Sequence, residues 1–193
     1  ISNAKQLLTK IKIDQTKPMA NITVPSGWAS LKKTISIQAM DAVSGIDTTD
    51  VNSVKVYYVD NTGSENAITL ANNGGGNYTF DAAENGLYKF VIKDRAGNVL
   101  ETFKNIQQID TTPASLTATL GALSADGDYH DIDVTRVEPN SGINYIQVWF
   151  QGDGDTEYTL LGYLNRTLPT QTYQAQMNGR YEFKMKIGTG EEL

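Results

Sequence analysis

Apolar and polar residues alternate in short runs along almost the whole chain. Ile35, Ile37 and Ala39 interleave with Ser36 and Gln38, and Val54 and Val56 flank Lys55. Tyr88, Phe90 and Ile92 keep the same period, as do Ile132 with Val134 and Ile146 with Val148. A period of two turns one face of each run to a core and the other to water, the mark of a half-buried β-strand. Turn formers lie between the runs: Val24-Pro-Ser-Gly27, Asp60-Asn-Thr-Gly63, Asn72-Asn-Gly-Gly75, Asp94-Arg-Ala-Gly97 and Gln151-Gly-Asp-Gly154. Each supplies Gly or Asn for a positive φ. Gly97 is expected at the left-handed position of a hairpin built on a type I turn. Only residues 3–10 carry a helical pattern, and it is short and uncapped. The expectation is an all-β chain.

The pattern is written twice. Ile13-Asp14-Gln15-Thr16 with Pro18 recurs as Ile109-Asp110-Thr111-Thr112-Pro113. Ile35, Ile37, Asp41, Ser44, Gly45 and Ile46 then face Ile132, Val134, Glu138, Ser141, Gly142 and Ile143 without a gap. Past a short insertion in the first copy, Val54-Lys-Val-Tyr-Tyr58 matches Ile146-Gln-Val-Trp-Phe150, and Thr79-Phe-Asp-Ala82 matches Thr172-Tyr-Gln-Ala175. Asn-Gly-x-Tyr-x-Phe closes both copies, at Asn85 to Phe90 and Asn178 to Phe183. Collinear agreement of this kind is an internal repeat with the period of a domain. It divides the chain into residues 13–109 and 110–193. Residues 1–12 are expected to be a linker or the end of a preceding repeat, because Lys10-Ile-Lys-Ile13 resembles Ile106-Gln-Gln-Ile109. The second copy stops where its last strand should begin, so the chain is expected to be an excerpt of a longer array.

About six or seven short strands per copy point to β-sandwiches, and the Tyr of Asn-Gly-x-Tyr-x-Phe narrows the type. In immunoglobulin-type sandwiches a Tyr two residues before the strand F Cys hydrogen-bonds back to the preceding turn. Tyr88 and Tyr181 stand in that place, with Phe90 and Phe183 where the Cys would be. Trp149, with Tyr57 as counterpart, is expected to pack over the core from strand C. The fold class is therefore all-β, two tandem immunoglobulin-like β-sandwich domains. Ser-Gly-Ile before strand C, Asn-Gly-x-Tyr-x-Phe, Asp-Arg-Ala-Gly-Asn and Ile-Asp-x-Thr-x-Pro together resemble the tandem bacterial Ig-like repeats of cell-surface and adhesin-type proteins, mainly of Gram-positive bacteria. The resemblance is fullest over residues 13–110. The second copy departs from it with Ile187-Gly-Thr-Gly190 in place of Asp94-Arg-Ala-Gly97. The resemblance implies stalk repeats that are extracellular, either secreted or wall-attached, with neighbouring Ig-like repeats as partners.

Composition and charge prune the alternatives. The 193 residues contain no Cys, which removes disulfides, thiol nucleophiles and thiolate metal sites. A net charge of −6 disfavours phosphate backbones and anionic lipid, so no nucleic-acid partner is expected. No apolar run approaches the length of a membrane span, and no direct membrane insertion is expected.

Candidate chemistry is sparse. His130 is the only histidine, and no Gly-x-Ser-x-Gly elbow accompanies it, so no enzyme and no organic cofactor are expected. The acidic stretch from Asp126 to Asp133 offers Asp126, Asp128, Asp131 and Asp133 as oxygen ligands suited to Ca2+, the alternative being a solvated turn and strand face. It does not fit the EF-hand spacing, having Asp131 at the sixth place and Val137 at the twelfth. Asp153, Asp155 and Glu157 form a second such cluster. Asp14 and Asp110 recur at the start of each copy, where Asp beside Thr caps a turn; the alternative is an interdomain cation. Tyr129, Tyr145, Tyr158, Tyr163 and Trp28 are in excess of what two small cores need. They raise a second expectation, a module binding host glycan or protein, or an accessory domain of a secreted carbohydrate-active enzyme.

Overall fold

The computed structural model describes residues 13–193. The helical pattern at residues 3–10 and most of the strand-like run before Ile13 lie outside the described residues. In chain order the strands are β1 (Met19–Thr23), β2 (Ala29–Ser30), β3 (Lys33–Met40), β4 (Val54–Val59), β5 (Glu65–Ile68), β6 (Ala71–Gly74), β7 (Asn77–Ala82), β8 (Gly86–Lys93), β9 (Val99–Ile106), β10 (Ile109–Asp110), β11 (Ser115–Leu123), β12 (His130–Val137), β13 (Ile143–Gly152), β14 (Thr159–Tyr163), β15 (Thr170–Ala175) and β16 (Gly179–Ile187). No helix forms among the described residues. Two compact units result. One holds the described residues up to Pro25 with Thr34–Gln107, the other Ser26–Lys33 with Gln108–Leu193.

The first unit is a sandwich of two antiparallel sheets, ordered β1-β3-β7-β6 and β5-β4-β8-β9. Alternation on β3 sends Ile35, Ile37 and Ala39 inward, and the same parity on β4 and β8 buries Val54, Val56, Tyr88, Phe90 and Ile92. Phe80 on β7 bridges the sheets, its ring 5.7 Å from Tyr88 and 6.1 Å from Phe90. Phe90 is fully buried, so apolar volume fills the place of an inter-sheet disulfide. Tyr88 Oη donates to Glu84 O at 2.9 Å and ties strand to turn. The run Asn72 to Gly75 is not a free turn. Asn72 and Asn73 belong to β6, which pairs with β7 through a register shift, and the reversal moves to the glycines that follow.

The second unit repeats the plan with sheets β11-β12-β15 and β14-β13-β16. Its core gathers Ile143, Ile146, Met185 and Ile187, with Ala114, Leu116 and Leu164 packed against them. The tyrosine corner recurs, Tyr181 Oη donating to Met177 O and accepting from Met177 N, both at 3.1 Å. Phe183 faces Tyr173 edge-on at 6.0 Å but stays half-buried, where Phe90 is sealed. The departure Ile187-Gly-Thr-Gly190 keeps the turn geometry of the first copy. Gly190 has φ 94° and donates to Ile187 O, as Gly97, at φ 95°, donates to Asp94 O. Beyond it Leu193 exchanges two backbone hydrogen bonds with Met185.

Two expectations are corrected. Trp149 does not pack over the core. Ile146 and Val148 take the inward positions of β13, so Trp149 points out with Glu182 opposite it, and Phe150 is the aromatic that turns in, 5.0 Å from Tyr181. On the outer face Trp149 Nε1 donates to Gln147 Oε1 at 3.0 Å, and Lys184 Nζ stands 5.3 Å from the ring centroid. The second correction concerns residues 26–33, which belong with the second unit. There β2 pairs in parallel with β10, Ala29 N donating to Gln108 O and Leu31 N to Asp110 O, each at 2.9 Å.

Candidate cation site

Three carboxylates of the first unit converge although the sequence separates them widely. Asp14 precedes β1, Asp41 follows β3, and Asp94 follows β8. A carboxylate oxygen of each lies within 4.8 Å of the others. Each Asp is held by a local device. Asp14 Oδ1 accepts from Thr16 N at 2.9 Å, an Asx-turn. Asp41 Oδ1 collects the N–H groups of Val43, Ser44 and Gly45 at 3.0, 2.7 and 2.9 Å, and the Ser44 hydroxyl at 3.2 Å. Those bonds, led by that of Gly45, hold the Asp41 carboxyl below the usual carboxylate range. Asp94, 3% exposed, accepts from Asn98 N and Asn98 Nδ2, both at 2.8 Å. Asn98 Nδ2 also donates to Asp14 O at 3.2 Å, so one amide stitches two of the three segments together.

What remains is an imbalance. Asp14 Oδ2 is sealed from solvent and has no hydrogen-bond partner. Among the described residues no Lys or Arg forms an ion pair with any of the three carboxylates. Buried carboxylate oxygens are costly unless they are paired, hydrogen-bonded or bound to a cation.

The second unit resolves the same problem differently. Asp110 stands in the place of Asp14 and caps the same turn, Oδ1 accepting from Thr112 N at 3.0 Å. Its Oδ2 accepts from Ser141 N at 2.7 Å, and Asn140 N reaches Oδ1 at 3.3 Å. Burial pushes the Asp110 carboxyl up, but the bonds from Ser141, Thr112 and Asn140 outweigh it and hold the group below the usual range. In the first unit the N–H equivalent to that of Ser141 belongs to Ser44, and Asp41 has taken it. Asp14 Oδ2 is orphaned for that reason. Glu138, in the place of Asp41, instead pairs with Arg136 at 3.0 Å, and Ile187 replaces Asp94.

The acidic residues singled out by their closeness in sequence are placed otherwise. Asp126 Oδ1 is hydrogen-bonded by Ser124 Oγ at 2.5 Å, Asp128 is an exposed turn residue, and Asp131 and Asp133 lie on β12. Asp133 Oδ1 accepts from Thr172 Oγ1 of the neighbouring strand at 2.8 Å. No three of these carboxylates meet; the one acidic group of three among the described residues is Asp14, Asp41 and Asp94. His130 is exposed at the start of β12, and Asp153, Asp155 and Glu157 lie exposed in the β13–β14 loop. Of the aromatics, Tyr145 and Tyr163 meet edge-on at 6.3 Å, on the same side of β13 as Trp149, with Tyr163 64% exposed. Tyr158 and Tyr129 sit in other loops.

No protein-family model matches the chain, and no curated protein matches it. Solved structures that match include dimeric latent PorU from Porphyromonas gingivalis, at TM-score 0.34 and 11% identity over 93% of this chain and 20% of that one. Salmonella alpha-2-macroglobulin reacted with methylamine matches at TM-score 0.30 and 13% identity over 94% of this chain and 14% of that one. The chain spans a fifth or less of the length of either protein.

Proposed function

We propose that the chain is a pair of non-catalytic Ig-like modules within a larger secreted or surface-attached bacterial protein, acting as spacer repeats that carry other domains. One observation carries this reading: the same sandwich is built twice in succession, each copy with its own core and its own tyrosine corner. A repeat that closes its core without cysteine keeps its fold whatever the redox state, which suits an extracellular array. Short Ile-Asp-x-Thr segments at the start of each copy, with Pro18 and Pro113 behind them, would join one repeat to the next.

A second reading, ligand binding, is favoured by the outer face of the second unit. There Tyr145, Tyr163, Trp149, Gln147 and Lys184 put ring surfaces beside hydrogen-bonding groups, a composition that suits sugars or a protein partner. The purified chain applied to a glycan array and to immobilised extracellular-matrix proteins separates the two. The spacer reading expects no saturable binding to either. Saturable binding that falls at least tenfold in Tyr163→Ala would replace it with the second.

A further inference from the structure

We infer that Asp14, Asp41 and Asp94 form a calcium site in the first unit, one that pins the segment before β1 to the turns after β3 and β8. Three features of the unit lead there. Oxygens of three carboxylates stand within 4.8 Å of one another, and among the described residues no cationic side chain is paired to them. One of those carboxylates, Asp14, keeps an oxygen that is buried and unpartnered, and Asp94 is itself 3% exposed. The crowding is not a requirement of the fold, since the second unit makes the corresponding loop with Asp110 alone, both of its oxygens satisfied by backbone N–H groups.

The chemistry of the donors selects the ion. All are hard carboxylate oxygens, and the only histidine lies in the other unit, which argues against zinc and copper. The three carboxylates come from three separate segments rather than one rigid loop, and Ca2+ tolerates irregular coordination where Mg2+ demands a near-ideal octahedron. Three carboxylates are fewer than the six to eight oxygens Ca2+ takes, so water and bidentate contacts would complete the shell. An affinity in the range of extracellular modules is expected, a Kd on the order of 0.1–1 mM. The inference does not depend on the spacer reading, because it concerns only the first unit's own residues.

The test is calorimetric titration of CaCl2 into the full chain after EDTA treatment and dialysis, with MgCl2 as the control, alongside thermal melts followed by far-UV circular dichroism. One Ca2+ per chain is expected, with Mg2+ binding at least tenfold more weakly. Asp14→Asn is the informative variant, because an Asn side-chain oxygen still caps the Thr16 turn while the charge is lost. It should melt in EDTA at or above the wild-type temperature, since a like charge has been removed from the cluster, and it should lose at least tenfold in Ca2+ affinity. Asp94→Asn should lose affinity in the same way, and Asp128→Asn, an exposed turn residue of the second unit, should not. No saturable Ca2+ heat and no melting shift at 10-fold the expected Kd would overturn the inference. So would binding that survives both Asp14→Asn and Asp94→Asn, or that disappears in Asp128→Asn.

Discussion

The glycine of Asn-Gly-x-Tyr-x-Phe shows how much one position can decide. Gly86 and Gly179 both adopt φ 153°, a backbone conformation that side chains rarely enter. A Cβ on Gly86 would stand 2.9 Å from Tyr58 Cε2, and one on Gly179 would meet Phe150 Cε2 at 2.8 Å and collide with Gln151 O. The ring of Tyr58 or Phe150 therefore covers the missing side chain, and the same ring packs on the corner tyrosine, at 5.3 Å for Tyr58 with Tyr88 and 5.0 Å for Phe150 with Tyr181. Gly86→Ala should destabilise the first unit by about 1–3 kcal/mol, the usual cost of forcing atoms into a packed site, read as a lower urea midpoint by far-UV circular dichroism. Tyr88→Phe keeps the ring and removes the bond to Glu84 O; it should cost about 1 kcal/mol in the same assay. An unchanged midpoint would show that the corner bond adds nothing to packing. The tyrosine, the phenylalanine and the glycine were all legible as a motif. The reason for the glycine was not, because the covering ring comes from another strand.

At the scale of elements, strand parity was the readable quantity and facing was the harder one. Period two identifies β3, β4, β8, β12 and β13, yet an aromatic at the middle of a strand can sit on either side, and Trp149 takes the outer one because Ile146 and Val148 already hold the inner. Turns show the same division. The Asp residues that open the turns at Asp60 and Asp94 were visible, and the structure gives both the capping geometry expected of Asp. The Thr62 hydroxyl, with the Ser64 and Thr62 N–H groups, holds the Asp60 carboxyl below the usual range, and Asp47 is lowered chiefly by the Thr49 hydroxyl. A carboxylate whose pKa is lower folded than unfolded binds fewer protons in the native state. It stabilises above its unfolded pKa of about 3.9 and loses that contribution as pH falls through the lower folded value. The urea midpoint of the first unit, measured in EDTA by circular dichroism, should therefore drop as pH goes from 5 to below 4. Asp60→Asn retains an acceptor for Thr62 but cannot titrate, so its pH dependence should be shallower than wild type; an identical slope would remove Asp60 from the account. The candidate cation site lay beyond such local reading. Asp14 and Asp41 each stand out in the repeat, but their meeting with Asp94 depends on how β3 and β8, in opposite sheets, end beside each other.

For the molecule as a whole, the repeat located the division between units at 109/110, within a few residues of the observed break after Gln107. It could not show that residues 26–33 leave the first unit, because β2 and β10 are two-residue strands too short to carry a period. That reassignment has an experimental use. Trp28 and Trp149 are the only tryptophans, and both belong to the second unit. Tryptophan fluorescence thus reports one unit while far-UV circular dichroism reports both. The units also differ in how well their aromatic cores close: Phe80, Tyr88 and Phe90 are at most 4% exposed, whereas their counterparts Tyr173, Tyr181 and Phe183 remain half-buried. Each aromatic left partly in water forgoes a share of the roughly 1.5–3 kcal/mol that full burial of such a side chain contributes. The second unit should accordingly unfold first. In a urea titration the fluorescence midpoint should fall below the midpoint by circular dichroism, whose curve should show a second step with no fluorescence change. Coincident curves would mean that the two units unfold as one cooperative block, and the poorer closure of the second core would then have no separate consequence for stability.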